Sequence, residues 1–244
     1  MKCELCLEKK KLKKSHIIPE FMYEYTGLYD EKHRFRMVKT TDLPRFSYQQ
    51  KGLREFLLCG GCEETISRWE QYAQKTLYGR HNPKYVKQNG QKHGEYILFT
   101  GINYEKFKLF LLSMLWRASV SNLEQFRQVR LGHHHQERVR KMILAGEPGN
   151  EDDYGCFFVA IMVPNNHLRK FIILFDRFRA RDHNCYRFFF GGFLCVFVIS
   201  KHKIPAKIRE LFLNRSNELR VLVRRIENVP FLLDSLLDLK KTFH

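Results

Sequence analysis

The segment Leu57-Leu58-Cys59-Gly60-Gly61-Cys62-Glu63-Glu64 decides the fold of the first third of this chain, because it repeats a spacing first met at Cys3 and Cys6. Two C-x-x-C pairs offer four thiolates in the arrangement of a tetrahedral structural zinc site, each pair forming a tight knuckle around one ion. Gly60 and Gly61 carry no side chains, so backbone N–H groups can turn toward the sulfurs. The second pair runs straight into residues 63–77, where Ile66, Trp69, Tyr72, Ala73 and Leu77 recur at helical steps. A knuckle, a β-hairpin and a second knuckle at a helix start make a treble-clef layout with Cys3, Cys6, Cys59 and Cys62 as Zn2+ ligands. The insert between the pairs, residues 7–58, is long enough to hold structure of its own.

Outward from this module the composition sets limits. A chain of 244 residues can bury a core of its own, so zinc organises one part and need not hold up the whole. With 43 Lys+Arg against 26 Asp+Glu, the formal charge is +17, a field that draws polyanions and makes nucleic acid the expected partner, DNA before RNA. No lipidation signal or secretory leader is visible, and the apolar stretches around 109–116 and 188–199 fall short of a span, so a membrane is not expected and the location is read as cytoplasmic. Close cysteine pairs in a reducing compartment are read as metal ligands. Cys156, Cys185 and Cys195 lie in or beside apolar runs and are read as buried small hydrophobes.

The expected fold class is α+β, with residues 1–80 as the zinc module and 95–244 as a second α+β domain of unknown role. Residues 80–94, with Pro83, Asn89-Gly90 and Gly94, read as a linker or exposed loop. Helices are expected from Asn103 to about Ser119 and over Glu137–Leu144, stopped by Gly146-Glu147-Pro148-Gly149-Asn150. Phe157–Val163, Phe171–Phe175 and Phe188–Ile199 are rich in β-branched and aromatic residues, and with turn signals at Pro164-Asn165-Asn166 and Gly191-Gly192 they read as an antiparallel sheet. Three- and four-residue apolar steps predict C-terminal helices over Ala206–Ile226 and Leu232–Leu239.

Ser15-His16-Ile17-Ile18-Pro19 reads as a short strand that ends abruptly, with the imidazole at its start and the isoleucines packed beneath the finger. A C-x-x-C knuckle, a His-Ile-Ile-Pro strand and a Leu-Leu-Cys-x-x-Cys that opens a helix together resemble the cysteine-bearing branch of the HNH, or His-Me finger, endonucleases, over roughly the first 75 residues. The resemblance implies a ββα-metal site in which His16 is the general base that deprotonates water and a divalent ion, Mg2+ or Mn2+, stabilises charge on phosphate. The sequence departs from the pattern at Ser15, where an acidic ligand is usual, near Arg54 and Glu55, where an asparagine is usual, and at Glu63, where histidine or asparagine is usual. Glu63 and Glu70 share a helix face, so a rearranged site has His16 as base with these carboxylates on metal. Against it stand a His16 that only holds a loop and a Glu63-Glu64 pair that only complements the helix dipole.

Lys9, Lys10, Lys11, Lys13 and Lys14 precede His16 and are expected to hold a phosphate backbone across the site, the alternative being a solvated charged turn. Arg54 belongs to a basic stretch, 34–54, in which Phe35, Phe46 and Tyr48 are interleaved either as stacking groups or as core. Arg177, Arg179 and Arg181 read as a basic hairpin tip, a second contact to nucleic acid or a solubilising loop. His133-His134-His135 lacks the i, i+4 spacing of helical metal ligands and is read as an exposed helix start. The function expected is HNH-type endonuclease activity, in a bacterial restriction or phage-defence setting. The alternatives are a non-catalytic zinc-stabilised nucleic-acid binder and a protein-interaction adaptor, with the C-terminal part free to bind a protein partner or a second copy.

Overall fold

The helix over residues 104–120, with Phe107, Phe110, Leu111, Met114, Leu115 and Trp116, is buried on every side from Phe107 to Ser119. The computed structural model describes residues 1–39, 45–79, 83–163, 168–199 and 202–235. In chain order the elements are β1 (Leu12–His16), α1 (Glu20–Tyr25), β2 (Arg34–Lys39), β3 (Arg45–Gln50), β4 (Arg54–Cys59), α2 (Gly60–Tyr78), β5 (Lys84–Gly90), β6 (Gly94–Thr100), α3 (Tyr104–Val120) and α4 (His133–Ala145). They continue with β7 (Cys156–Met162), β8 (Ile172–Ala180), β9 (His183–Phe190), β10 (Phe193–Ile199), α5 (Ala206–Arg209), β11 (Glu218–Arg225) and α6 (230–235). The class is mixed α+β.

β5, β6, β11, β7, β10, β9 and β8 lie side by side in that order as a seven-stranded sheet. One face, with Phe158, Phe188, Phe190, Phe197, Leu219 and Val221, shares a core with α3 and with the N-terminal cysteines and isoleucines. The other face, with Val159, Ile161, Phe189, Val196 and Val198, packs on Ile204, Phe212, Ile226 and Leu232. Two pairs, β1 with β4 and β2 with β3, stand apart from this sheet. Asn103 caps α3 by accepting from the Lys106 N–H at 2.9 Å, and Gly146 ends α4 in the left-handed conformation at φ +73°, which favours a residue without Cβ.

Several expectations are corrected. The sheet is mixed, because β11 runs parallel to β7 while every other pair is antiparallel. Residues 84–100 form the β5–β6 hairpin where a linker over 80–94 was expected; Asn89-Gly90 ends β5, the turn is 91–93, and Ile97 and Phe99 pack on the core. The imidazole of His16 closes β1 at its last residue, because Ile17 and Ile18 leave the strand for the core. The helix expected over Ala206–Ile226 stops after one turn. There Asn214 Oδ1 accepts from the N–H groups of Ser216 and Glu218, Asn217 turns left-handed at φ +61°, and the chain becomes β11, with Leu219 and Val221 inward at a two-residue step. The strand expected over Phe171–Phe175 runs on to Ala180, and Gly191-Gly192 divides the long run into β9 and β10. The Pro164-Asn165-Asn166 turn and residues 236–239 of the expected last helix fall outside the described residues, while 232–235 are helical. Among the described residues no helix is long and apolar enough to cross a membrane.

Candidate functional site

Cys3 and Cys6 sit in a knuckle closed by backbone bonds: the Leu7 N–H donates to the Cys3 carbonyl at 2.9 Å and the Cys3 N–H to that of Glu8 at 2.9 Å. Leu7 holds φ at +63°, a conformation glycine more often supplies. β4 carries Cys59 alongside, where its N–H donates to Cys3 Sγ at 3.3 Å, and α2 begins at once with Cys62 in its first turn. The four sulfurs lie within 4.8 Å of one another, and Cys6 and Cys59 are 3.8 Å apart. Thiolates on one tetrahedral ion at a metal–sulfur distance of about 2.3 Å are about 3.8 Å apart, so the set fits a small four-coordinate cation. The Cys62 backbone N–H donates to Cys59 and lowers its thiol to about 7, whereas burial pushes the Cys6 and Cys62 thiols up while no ion is bound. α4 braces the knuckle from outside: Arg140 donates to the Leu5 carbonyl and pairs with Glu137 at 2.6 Å.

From this cluster β1 and β4 run antiparallel, Leu12 opposite Cys59 at one end and His16 opposite Arg54 at the other. Directly paired residues point to the same side of a sheet, as do residues two apart, so Lys14, His16, Arg54 and Phe56 share one face. Lys14 and Phe56 are exposed, with the ammonium 5.8 Å from the ring centroid, and the His16 side chain is 28% exposed. Ser15 points inward, fully buried, and accepts from the Leu58 N–H at 3.2 Å. Below it Ile17 and Ile18 are buried in the core.

His16 Nε2 lies 3.0 Å from the Lys51 carbonyl oxygen, an acceptor, which places a ring proton on Nε2; in the neutral ring Nδ1 then bears the lone pair. Glu20 Oε2 also lies 3.0 Å from Nε2, yet it is buried without a hydrogen-bond donor, because the N–H is aimed at Lys51. Glu20 Oε1 accepts from Tyr29 Oη at 2.7 Å and lies 3.8 Å from His33 Nε2. Burial and the Glu20 carboxylate together push the Tyr29 phenol far up, so it stays a donor. Gly52, at φ +63°, lets the chain pass close: a Cβ there would lie 3.0 Å from Glu20 Oε2 and 3.2 Å from the His16 ring.

The two carboxylates of α2 part company. Cys59 sits at the far end of the strand pair from His16, about 13 Å away at about 3.3 Å per residue, and α2 needs most of three turns to run back. Glu63, in its first turn, belongs to the cysteine end and has Oε1 buried without a partner. Glu70 reaches the His16 end, but Arg117 takes it: the buried guanidinium donates from Nη2 to Glu70 Oε1 at 2.6 Å and from Nη1 to the His16 carbonyl at 2.6 Å. Glu63, Glu70 and His16 therefore do not form one site for Mg2+ or Mn2+.

Lys9, Lys10, Lys11, Lys13 and Lys14 are all exposed; Lys10 pairs with Glu8 at 2.7 Å. Arg54 has no side-chain hydrogen bond or ion pair among the described residues. Arg177 and Arg179 lie on edge strand β8 and Arg181 in the turn after it; Arg177 donates to Asn184 Oδ1 at 3.0 Å and Arg179 to the Arg181 carbonyl at 3.1 Å. The three histidines open α4, where His135 Nδ1 lies 3.1 Å from Tyr154 Oη. Glu20, Lys51 and Arg117 were not singled out from sequence; only the four-residue step from His16 to Glu20 hinted at a pair, across a proline that hides it. A cavity of about 280 Å3, lined by Leu77, Tyr85, Phe99, Phe107 and Phe193 among others, is apolar and carries none of these groups.

Fold and site together define a mixed α+β protein with a tetracysteine cluster able to hold a metal ion and an anchored histidine on the strand pair beside it. Compared with protein-family models, with curated proteins and with solved structures, the chain matches none.

Proposed function

We propose that the protein is a nucleic-acid endonuclease of HNH type, in which a treble-clef Zn2+ centre holds the strand pair and His16 acts as general base in phosphodiester hydrolysis. The observation that carries this reading is the state of the imidazole. It is part exposed on a cationic face, fixed through Nε2 by the Lys51 carbonyl, and its Nδ1 has no protein partner among the described residues. Such a ring takes a proton from water at Nδ1, and the Glu20 carboxylate at 3.0 Å stabilises the imidazolium that results. Arg54 and Lys14, on the same face, are placed to receive phosphate oxygens.

The test is degradation of plasmid DNA and of RNA with Mg2+ or Mn2+ supplied. His16→Ala is expected to abolish cleavage while metal content and folding stay unchanged. Cleavage by wild-type and variant alike would sink the proposal. The second reading, a zinc-stabilised binder without catalysis, is favoured by the capture of Glu70 by Arg117 and the burial of Ser15. It predicts salt-sensitive binding, no cleavage and indifference to His16→Ala.

A further inference from the structure

The β2–β3 ribbon has one face in the core and one face in solvent. Phe35 is buried, its ring centroid 4.9 Å from that of Tyr23, and Met37 packs on the same core. The register pairs Arg34 with Gln50, Arg36 with Tyr48 and Val38 with Phe46, which gathers Arg34, Arg36, Phe46 and Tyr48 on the opposite face. There Phe46 is 55% and Tyr48 46% exposed, which sets two aromatic rings side by side in solvent. The guanidinium of Arg34, held by Asp30 at 2.9 Å, lies 4.4 Å from the Tyr48 centroid. That of Arg36 lies 5.3 Å from the Phe46 centroid and 5.9 Å from that of Tyr48, and it donates to Tyr48 Oη at 3.4 Å. The two rings meet edge to face at 6.2 Å. Flat cations and aromatic planes in register offer stacking surface with positive charge beside it, which suits nucleobases attached to phosphates.

The open end of the ribbon, where Arg34 pairs with Gln50, is tied to the His16 site by both strands. His33, just before β2, lies 3.8 Å from Glu20, and Lys51, just after β3, gives its carbonyl to His16. A strand stacked on the ribbon therefore leads to the imidazole.

We propose that the exposed face of β2–β3 is a base-stacking platform for nucleic acid with unpaired bases. The substrate class of the proposed nuclease is then single-stranded or locally melted nucleic acid. The proposal rests on the nuclease reading only for that last step; the binding stands by itself, because a duplex keeps its base faces stacked and a ribbon of this kind cannot reach them.

The experiment measures fluorescence anisotropy at low salt, without added divalent cation, on His16→Ala protein. The probes are labelled oligothymidylate and oligouridylate of about twelve nucleotides and a duplex of the same length. The double variant Phe46→Ala/Tyr48→Ala, and its milder form Phe46→Leu/Tyr48→Leu, are compared with the parent after melting curves establish that each folds. Single-strand affinity is expected to fall about ten- to a hundredfold in both variants while duplex affinity changes less than about threefold, since no charge is removed. The two single-stranded probes decide between DNA and RNA. Unchanged single-strand binding in the variants, equal losses on single strand and duplex, or no binding of any single strand by the parent would each overturn the platform. A failed plasmid assay would leave it standing.

Discussion

At the scale of single residues, three buried or half-buried charges carry opposite burdens. Glu20 holds its position through Tyr29 and faces the ring nitrogen that His16 uses to donate, so in the proposed reaction it would stabilise the charged ring and would not itself exchange a proton with substrate. Glu20→Gln is expected to lower the rate of cleavage about ten- to a hundredfold with substrate affinity little changed, read as a kcat loss at constant KM. Arg117 joins α3 to α2 and β1 through Glu70 and the His16 carbonyl, and removing one partner leaves a charge stranded in the interior. Glu70→Ala should therefore destabilise the protein by about 3 kcal/mol in denaturant unfolding, with Glu70→Gln milder because it keeps an acceptor. If Glu70 were instead a cation ligand, Glu70→Gln would abolish cleavage at undiminished stability. Lys108, fully buried on α3, donates to Tyr104 Oη and to the carbonyls of Asn150 and Glu151, and burial lowers its ammonium to about 8 from an ordinary 10.5. Below about pH 8 both folded and unfolded chains hold this proton, and the folded state bears the full cost of burying it. Between about 8 and 10.5 only the unfolded chain still holds it, so this group's contribution to stability rises with pH, by at most roughly 3 kcal/mol. Against Lys108→Met, which lacks the titration, wild-type protein should gain stability across that window in urea unfolding; parallel curves would refute the assignment.

Among elements, the cysteine cluster governs where β1, β4 and the start of α2 stand relative to one another. Leu12 pairs with Cys59 at the edge of the cluster, and α2 begins at the next residue, so an ion held by the cluster would fix three elements at a single point. The proposed zinc should be present at one ion per chain by elemental analysis. A strong chelator should lower the melting temperature and erase protection of β1 and β4 amides from hydrogen exchange, while the seven-stranded sheet keeps its protection. Because all four sulfurs must lose protons to bind, metal affinity should fall steadily as pH drops. The β2–β3 ribbon lies outside this constraint, held by Phe35 and Met37 on one side only, which leaves its other face for a ligand.

Across the whole molecule, α3 is the shared spine: its apolar faces meet the N-terminal module and the sheet in one continuous core, and its two buried cations tie down the loop at 150–151 and the strand of His16. The exposed lysines of 9–14 add a field that follows from the formal +17. Replacing Lys9, Lys11, Lys13 and Lys14 by Gln should weaken binding to all sequences alike and make log affinity less steep in log salt, by about one for every phosphate that is no longer neutralised. The four sulfurs, the helix after Cys62, the buried α3 and the apolar strands were legible in the chain, because C-x-x-C spacing and periodicity are local patterns that need no knowledge of the partner. The β5–β6 hairpin and β11 were not, since Lys84–Gly90 is polar and Glu218–Arg225 follows an apolar helical step; pairing with β6 and β7 settled both strands. The sequence by itself determined which atoms can bind metal and that the surface is cationic. Only the tertiary structure decided that Glu20, not Glu63, lies beside His16, and that Arg117 claims Glu70, because strand register and helix length set those distances and neither is written in residue spacing.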